Sequence, residues 1–213
     1  MRTADWRPPN VDFVDPRSTP YAPIRSRGEL PHLYKPGGTF FVTFRLRDAV
    51  LETPGAFRRL VAGSTDCPDF AERLTSASEP KLRAGSCLLR KITLGRVVED
   101  ALTFHHAERY QLISWCVMPN HVHATYATLD DWSPADIHKT WKGYTARRIN
   151  EAVGVTGELW ERETFDHLVR KTAHADYFAW YVENNPVLAG LVADPADWPL
   201  SSARFRDVPL LKG

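Results

Sequence analysis

The sequence predicts an α+β fold of ferredoxin-like type: an antiparallel sheet with helices packed on one face, extended by a C-terminal helix. Three observations lead there. Runs of β-branched and aromatic residues alternate with amphipathic stretches, two of those runs are joined by the turn dipeptide Pro119-Asn120, and the resulting order is strand, helix, strand, strand, helix, strand, helix. A chain of 213 residues suits one domain with extensions.

The elements follow in order. Residues 1–34 read as an irregular, proline-rich arm, seven prolines occurring before residue 38. After Gly37-Gly38, the run Thr39 to Leu46 is a first strand. Residues 55–80 mix Gly, Pro, Ser and Thr with helix-like pieces, and Lys81 to Glu108 places Leu88, Leu89, Ile92, Val97 and Leu102 at helical spacing, with Gly95 a point where the helix can break. Tyr110 to Val117 is a second strand, Pro119-Asn120 turns the chain, and His121 to Thr128 returns as a third. Ser133 as N-cap and Pro134 in the first turn open a helix that reaches Val153, where Gly154 and Gly157 stop it. Glu158 to Arg170 reads as a fourth strand. The last helix begins near His174 and Asp176 and is expected to end at Asn184-Asn185, because Pro186 disfavours helical geometry before it.

Composition narrows the function classes. The chain is 43% hydrophobic and 25% charged, and no apolar run approaches the length of a membrane span. The N-terminus lacks the apolar core of a secretory signal, so a cytoplasmic location is the expectation. Cys67, Cys87 and Cys116 are odd in number and widely spaced, which argues against a disulfide framework and a thiolate zinc knuckle. A net charge of +1 neither demands nor excludes a nucleic-acid partner. Basic residues do cluster locally, at Arg90, Lys91 and Arg96 and at Lys139, Lys142, Arg147 and Arg148; a solvated helix face explains such a run as readily as phosphate binding.

The chemistry-bearing feature is Met118-Pro119-Asn120-His121-Val122-His123. Alternate residues of a strand share a face, so the two imidazoles project together about 7 Å apart, a spacing that can grip one divalent cation and leave most of its coordination sphere open. On the last helix Tyr177, Tyr181 and Asn185 recur every four residues and share a face. If that face meets the histidines, Asn185 offers a carbonyl oxygen and Tyr181 a phenol. A free phenol ionises near pH 10, so it needs a cation or base to act as a nucleophile. Taken alone, the histidine pair is equally well a satisfied core feature, and Tyr181 a core aromatic like Trp180 and Phe178.

These motifs, with Lys142-Gly143-Tyr144-Thr145-Ala146-Arg147-Arg148-Ile149-Asn150, Leu159-Trp160-Glu161-Arg162, Asn184-Asn185-Pro186-Val187-Leu188-Ala189-Gly190-Leu191-Val192 and Trp198-Pro199-Leu200-Ser201-Ser202, resemble the REP-associated tyrosine transposases of the HUH single-strand endonuclease superfamily. The resemblance spans residues 35–205, leaving the arm and a tail of residues 206–213 outside it. It implies that His121, His123 and Asn185 hold Mg²⁺ or Mn²⁺. Tyr181 would then attack a single-stranded DNA phosphate, giving a 5′-phosphotyrosine link and a free 3′-hydroxyl. It further implies DNA hairpins or repeats as substrates, with Lys139, Lys142, Tyr144, Arg147 and Arg148 as the DNA-binding residues. Thr164 stands where members often carry an aromatic residue, and residues 55–80 have no counterpart in the pattern. The alternative keeps the fold without the chemistry, as a catalytically silent, domesticated hairpin-binding protein. Monomer and homodimer are both compatible with the sequence. A two-histidine phosphoesterase would need a second strand motif, for which His138-Lys139-Thr140 lies in a predicted helix; a zinc hydrolase finds no further ligands at Ala124, Thr125 or Tyr126. Trp132, Trp141 and Trp160 could stack unpaired bases, Tyr177 could be a second tyrosine or packing, and Asn184 reads as a helix cap.

Overall fold

The computed structural model describes residues 3–15, 22–26, 31–49, 85–207 and 210; the expectations for 55–80, for the start of the helix at 81–84 and for Cys67 lie outside the described residues. The elements are β1 (Ala22–Ser26), β2 (Pro31–Tyr34), β3 (Thr39–Arg45), α1 (Ile92–Phe104), β4 (Tyr110–Val117), β5 (His121–Thr128), α2 (Pro134–Val153), β6 (Phe165–Leu168) and α3 (Thr172–Leu188). β1 and β2 form a two-stranded ribbon, and the main sheet has the order β4-β5-β3-β6 with every pairing antiparallel. The predicted α+β fold is therefore the observed one.

Alternation divides the core. Phe40, Val42 and Phe44 of β3, and Val122, Ala124 and Tyr126 of β5, point to one side and pack with Leu94, Val98 and Leu102 of α1 and Ile137, Trp141 and Ile149 of α2. The other side carries Phe41, Cys116 and Met118 against Tyr177, Phe178, Tyr181 and Val182. The C-terminal helix thus covers the face that α1 and α2 leave open, and it delivers Tyr181 to the face on which the two histidines stand.

Local chemistry accounts for the ends of α2. The Ser133 side chain accepts from Asp136 N at 3.2 Å, Pro134 occupies the first turn, and Gly154 closes the helix in the left-handed region at φ 70°. α1 runs unbroken through Gly95, contrary to the expected weak point. A side chain there would meet Leu200 Cδ1 at 2.3 Å, so the glycine serves close packing against the C-terminal segment. α3 also continues past Asn185, with Pro186 buried inside its final turn. A proline so near the end removes one intrahelical hydrogen bond and leaves only two residues beyond it to be held.

The predicted strand at 158–170 shrinks to Phe165–Leu168, with Trp160 making a single bridge to Leu46. The cause is Lys142, whose Nζ donates to Glu161 O at 2.7 Å, Arg162 O at 3.0 Å and Thr164 Oγ1 at 3.0 Å, withdrawing those carbonyls from any ladder. The arm, expected to be irregular, contains the β1–β2 ribbon and an anchored start: Trp6 is fully buried, its Nε1 donates to Leu112 O at 3.1 Å, and its ring meets Trp115 edge-on at 4.6 Å.

β4 is an edge strand that the C-terminal segment covers. Val117 N donates to Leu200 O at 2.9 Å and Trp115 N to Ser202 Oγ at 3.0 Å, satisfying groups that would otherwise template edge pairing. Among the described residues no helix is long and apolar enough to cross a membrane.

Candidate functional site

β5 presents His121 and His123 on the α3 side of the sheet, and the rings lean together to a centroid separation of 4.6 Å at 80°. Both side chains are buried. Each ring is oriented by a neighbour: Asn120 Oδ1 lies 2.8 Å from His121 Nδ1, and Thr43 Oγ1 lies 2.7 Å from His123 Nδ1. With the Asn120 amide oriented as assigned, its oxygen only accepts, so the proton sits on His121 Nδ1 and the lone pair on Nε2 is left for a cation.

Burial sets the charge state. It pushes the His121 pKa down to about 4, partly opposed by contact with Asn185, and holds His123 well below the usual histidine range, helped by the neighbouring His121 charge. Both imidazoles are thus neutral electron-pair donors at neutral pH. A stability effect follows. The unfolded chain takes up a proton at each histidine below about pH 6.5, while folded His121 does not until about pH 4, so stability is full above 6.5 and declines as pH falls through that window. Urea unfolding at pH 7.5 and pH 5 is expected to differ by about 2 kcal/mol from His121 alone; equal stabilities would contradict a neutral buried pair.

α3 completes the arrangement within the same chain. Asn185 is fully buried against His121, and one turn earlier the Tyr181 ring stands 5.6 Å from that of His123 at 69°. Phe41 supports the Tyr181 ring at 5.9 Å, and Tyr177 stacks on it at 6.3 Å and 23°. The four residues 121, 123, 181 and 185 therefore converge. Tyr177, 2% exposed, belongs to the aromatic packing. Asn184 does not cap: its Nδ2 donates to Trp180 O at 3.0 Å in mid-helix.

The donor set fits a cation. Two neutral imidazoles and an amide carbonyl would supply three ligands to a divalent cation and leave its other positions open. Among the described residues no group of three or more His, Cys, Asp or Glu side chains could hold a metal, and the buried Asn185 amide is the further donor beside His121. With no carboxylate in the set, a bound ion would keep its charge for an anionic substrate.

The DNA-binding candidates lie elsewhere. Lys139, Tyr144, Arg147 and Arg148 are exposed along α2, across the sheet from the histidines, and Arg148 pairs with Glu151 at 3.0 Å. Lys142 is not an exposed phosphate contact: burial lowers its pKa to about 8, and its ammonium is committed to the three oxygens of the 161–164 segment. Trp141 and Trp160 are buried, with indoles donating to Tyr110 Oη and Thr145 Oγ1, whereas Trp132 stacks under the Arg109 guanidinium at 4.2 Å. Sequence reasoning missed Asn120, Thr43 and Phe41. Their signal was available, since Phe41, Thr43 and Arg45 alternate on one face of a strand.

Comparison with known proteins shows what the chain and its fold are similar to. Residues 90–185 match the IS200-like transposase family. Over 99 residues the chain is 28% identical to the REP-associated tyrosine transposase of Escherichia coli (strain K12), a match covering 46% of this chain and 57% of that protein. The chain therefore matches little more than half the length of that relative. Among solved structures, a REP-associated tyrosine transposase bound to a REP hairpin superposes with a TM-score of 0.55 at 20% identity, covering 83% of each chain, a likeness of fold. Residues 90–185 are thus similar in pattern to IS200-like transposases, part of the chain is similar in sequence to a REP-associated tyrosine transposase, and the fold is like that of a solved protein of that kind.

Proposed function

We propose that the protein cleaves and rejoins single-stranded DNA at a hairpin through Tyr181, with Mg²⁺ or Mn²⁺ held by His121, His123 and Asn185. The observation that carries this reading is the convergence in one chain of two neutral imidazoles, a buried amide and a tyrosine ring 5.6 Å from the nearer imidazole. A bound divalent ion would polarise the scissile phosphate and favour ionisation of the phenol. Tyr181 Oη attacks phosphorus, its proton passing to water. A tyrosyl O–P bond forms as the bond from phosphorus to the 3′ oxygen breaks, and that oxygen leaves with the electron pair and takes up a proton. Because one phosphoester replaces another, a 3′-hydroxyl can later reverse the step without an external energy source.

The chain's own residues do the rest. Asn120 and Thr43 fix the imidazole orientations, Phe41 and Tyr177 fix the Tyr181 ring, and burial keeps bulk water away from the phosphotyrosine ester. A hairpin substrate is supported by the REP hairpin bound in the solved relative of similar fold. Lys139, Tyr144, Arg147 and Arg148 would add affinity to the DNA backbone.

The test is direct. A labelled single-stranded hairpin incubated with the protein and Mn²⁺ should yield a covalent protein–DNA adduct that chelation prevents and Tyr181→Phe abolishes. An adduct that persists in Tyr181→Phe would defeat the assignment, while tight hairpin binding without any adduct in the native chain would identify a silent binding protein.

A further inference from the structure

The sheet places one more side chain at the site. β3 and β5 keep register from Thr39 to Arg45, setting Thr43 opposite His123 and Arg45 opposite His121. Paired Cα atoms of this kind stand about 5 Å apart with side chains on one face. The face in question is the α3 side, since Phe44 and Val122 point the other way. Thr43 is engaged in orienting His123, and Cys116, the neighbour on β4, is uncharged. Among the described residues, Arg45 is therefore the cation that strand register sets beside the histidine pair.

Arg45 is held but not consumed. Its Nη2 lies 3.6 Å from Glu161 Oε2, its Nη1 lies 3.4 Å from Ala49 O, and the side chain stays 28% exposed. A guanidinium has five N–H donors in a planar fork, so these long contacts leave capacity for an oxyanion. Glu161 is itself secured, its N donating to Arg45 O at 2.9 Å while Lys142 grips its carbonyl. Leu46 and Trp160 bridge alongside. The Leu159-Trp160-Glu161-Arg162 motif thus carries a carboxylate to within 3.6 Å of the arginine that strand register sets beside the histidines.

Building on the strand-transfer reading above, we propose that Arg45 binds a non-bridging oxygen of the scissile phosphate. A guanidinium suits this role because phosphate charge grows as the phenol attacks, and a fixed donor aimed at that oxygen is worth more in the transition state than in the bound substrate. Arg45 would then act on the rate of cleavage and little on affinity for the hairpin.

The experiment uses the full chain, Mn²⁺ and a labelled single-stranded hairpin, comparing native protein with Arg45→Ala and Arg45→Lys. Adduct formation at saturating DNA is expected to slow by about 10²-fold in Arg45→Ala, with hairpin Kd changed by less than about threefold and Arg45→Lys intermediate. Of the two diastereomers of a methylphosphonate at the scissile position, the one lacking the oxygen that Arg45 binds should react equally with native and Arg45→Ala protein. A native rate in Arg45→Ala, a defect confined to Kd, or an equal defect on both diastereomers would overturn the proposal. If Arg45→Ala does not fold, Arg45→Lys keeps the stem and charge, and a native rate in that variant would overturn the fork's role. Absence of any adduct with native protein would instead remove the strand-transfer reading and this one together.

Discussion

Replacing His121 and His123 together by alanine is expected to lower Mn²⁺ affinity and adduct formation by more than about 10²-fold, the upper end of what loss of an outer-shell neighbour costs a metal site. The two imidazoles supply two of the three proposed donors, and among the described residues no cluster of His, Cys, Asp or Glu could substitute for them. Hairpin affinity should be retained, because the basic residues of α2 lie across the sheet. The same variant carries an internal control. Losing the buried pair should lessen the fall in stability between pH 7.5 and pH 5, leaving the part due to His167, whose pKa burial also lowers to about 4, so metal binding and part of the acid sensitivity should be lost together. Titration calorimetry with Mn²⁺ and urea unfolding at the two pH values check both, and full Mn²⁺ affinity in the folded double variant would contradict the ligand assignment.

Arg206→Ala should be the most destabilising change outside the site, costing about 3–5 kcal/mol, because it strands a buried charge. Glu183 lies on α3 between Tyr181 and Asn185, is 2% exposed, and receives Arg206 Nε at 2.7 and 2.6 Å and Ser202 Oγ at 2.5 Å. Burial raises the Glu183 pKa even with Arg206 present. Arg206 also donates to Ile113 O at 3.1 Å, beside the register shift between Leu112 and Ser114, so one side chain ties α3, the C-terminal segment and the β4 edge. Arg206→Ala should therefore lower the thermal midpoint and slow cleavage together, through loosening of α3. The double change Arg206→Met with Glu183→Leu should recover most of the stability, since apolar residues can replace a buried ion pair at little cost. A melting curve of Arg206→Ala that matches the native one would show that α3 is held by its apolar face alone.

The legible parts of this fold are those decided within a few residues. Thr39–Arg45, Tyr110–Val117, His121–Thr128 and the helix from Pro134 to Val153 follow from alternation, a Ser133 cap and a Gly154 stop. The same local arithmetic placed His121 with His123 and Tyr181 with Asn185. What escaped reading was set by contacts distant in sequence. Lys142 breaks the expected strand at 158–170 by taking its carbonyls, Leu200 turns Gly95 from a break into a packing point, and Trp6 becomes core only because Trp115 and Leu112 await it. At the site, the missing information was which face of the sheet α3 covers; once that is known, Thr43 and Arg45 follow from strand register.

The proposed chemistry stands or falls on the phenol of Tyr181 becoming the covalent link to DNA. Mass spectrometry of the protein–hairpin adduct formed in Mn²⁺, after digestion of both protein and DNA, locates that link without relying on any variant. A nucleotide remnant on Tyr181 alone is expected; a remnant on Tyr177 or Tyr144, or a link that forms equally well under chelation, would contradict the mechanism.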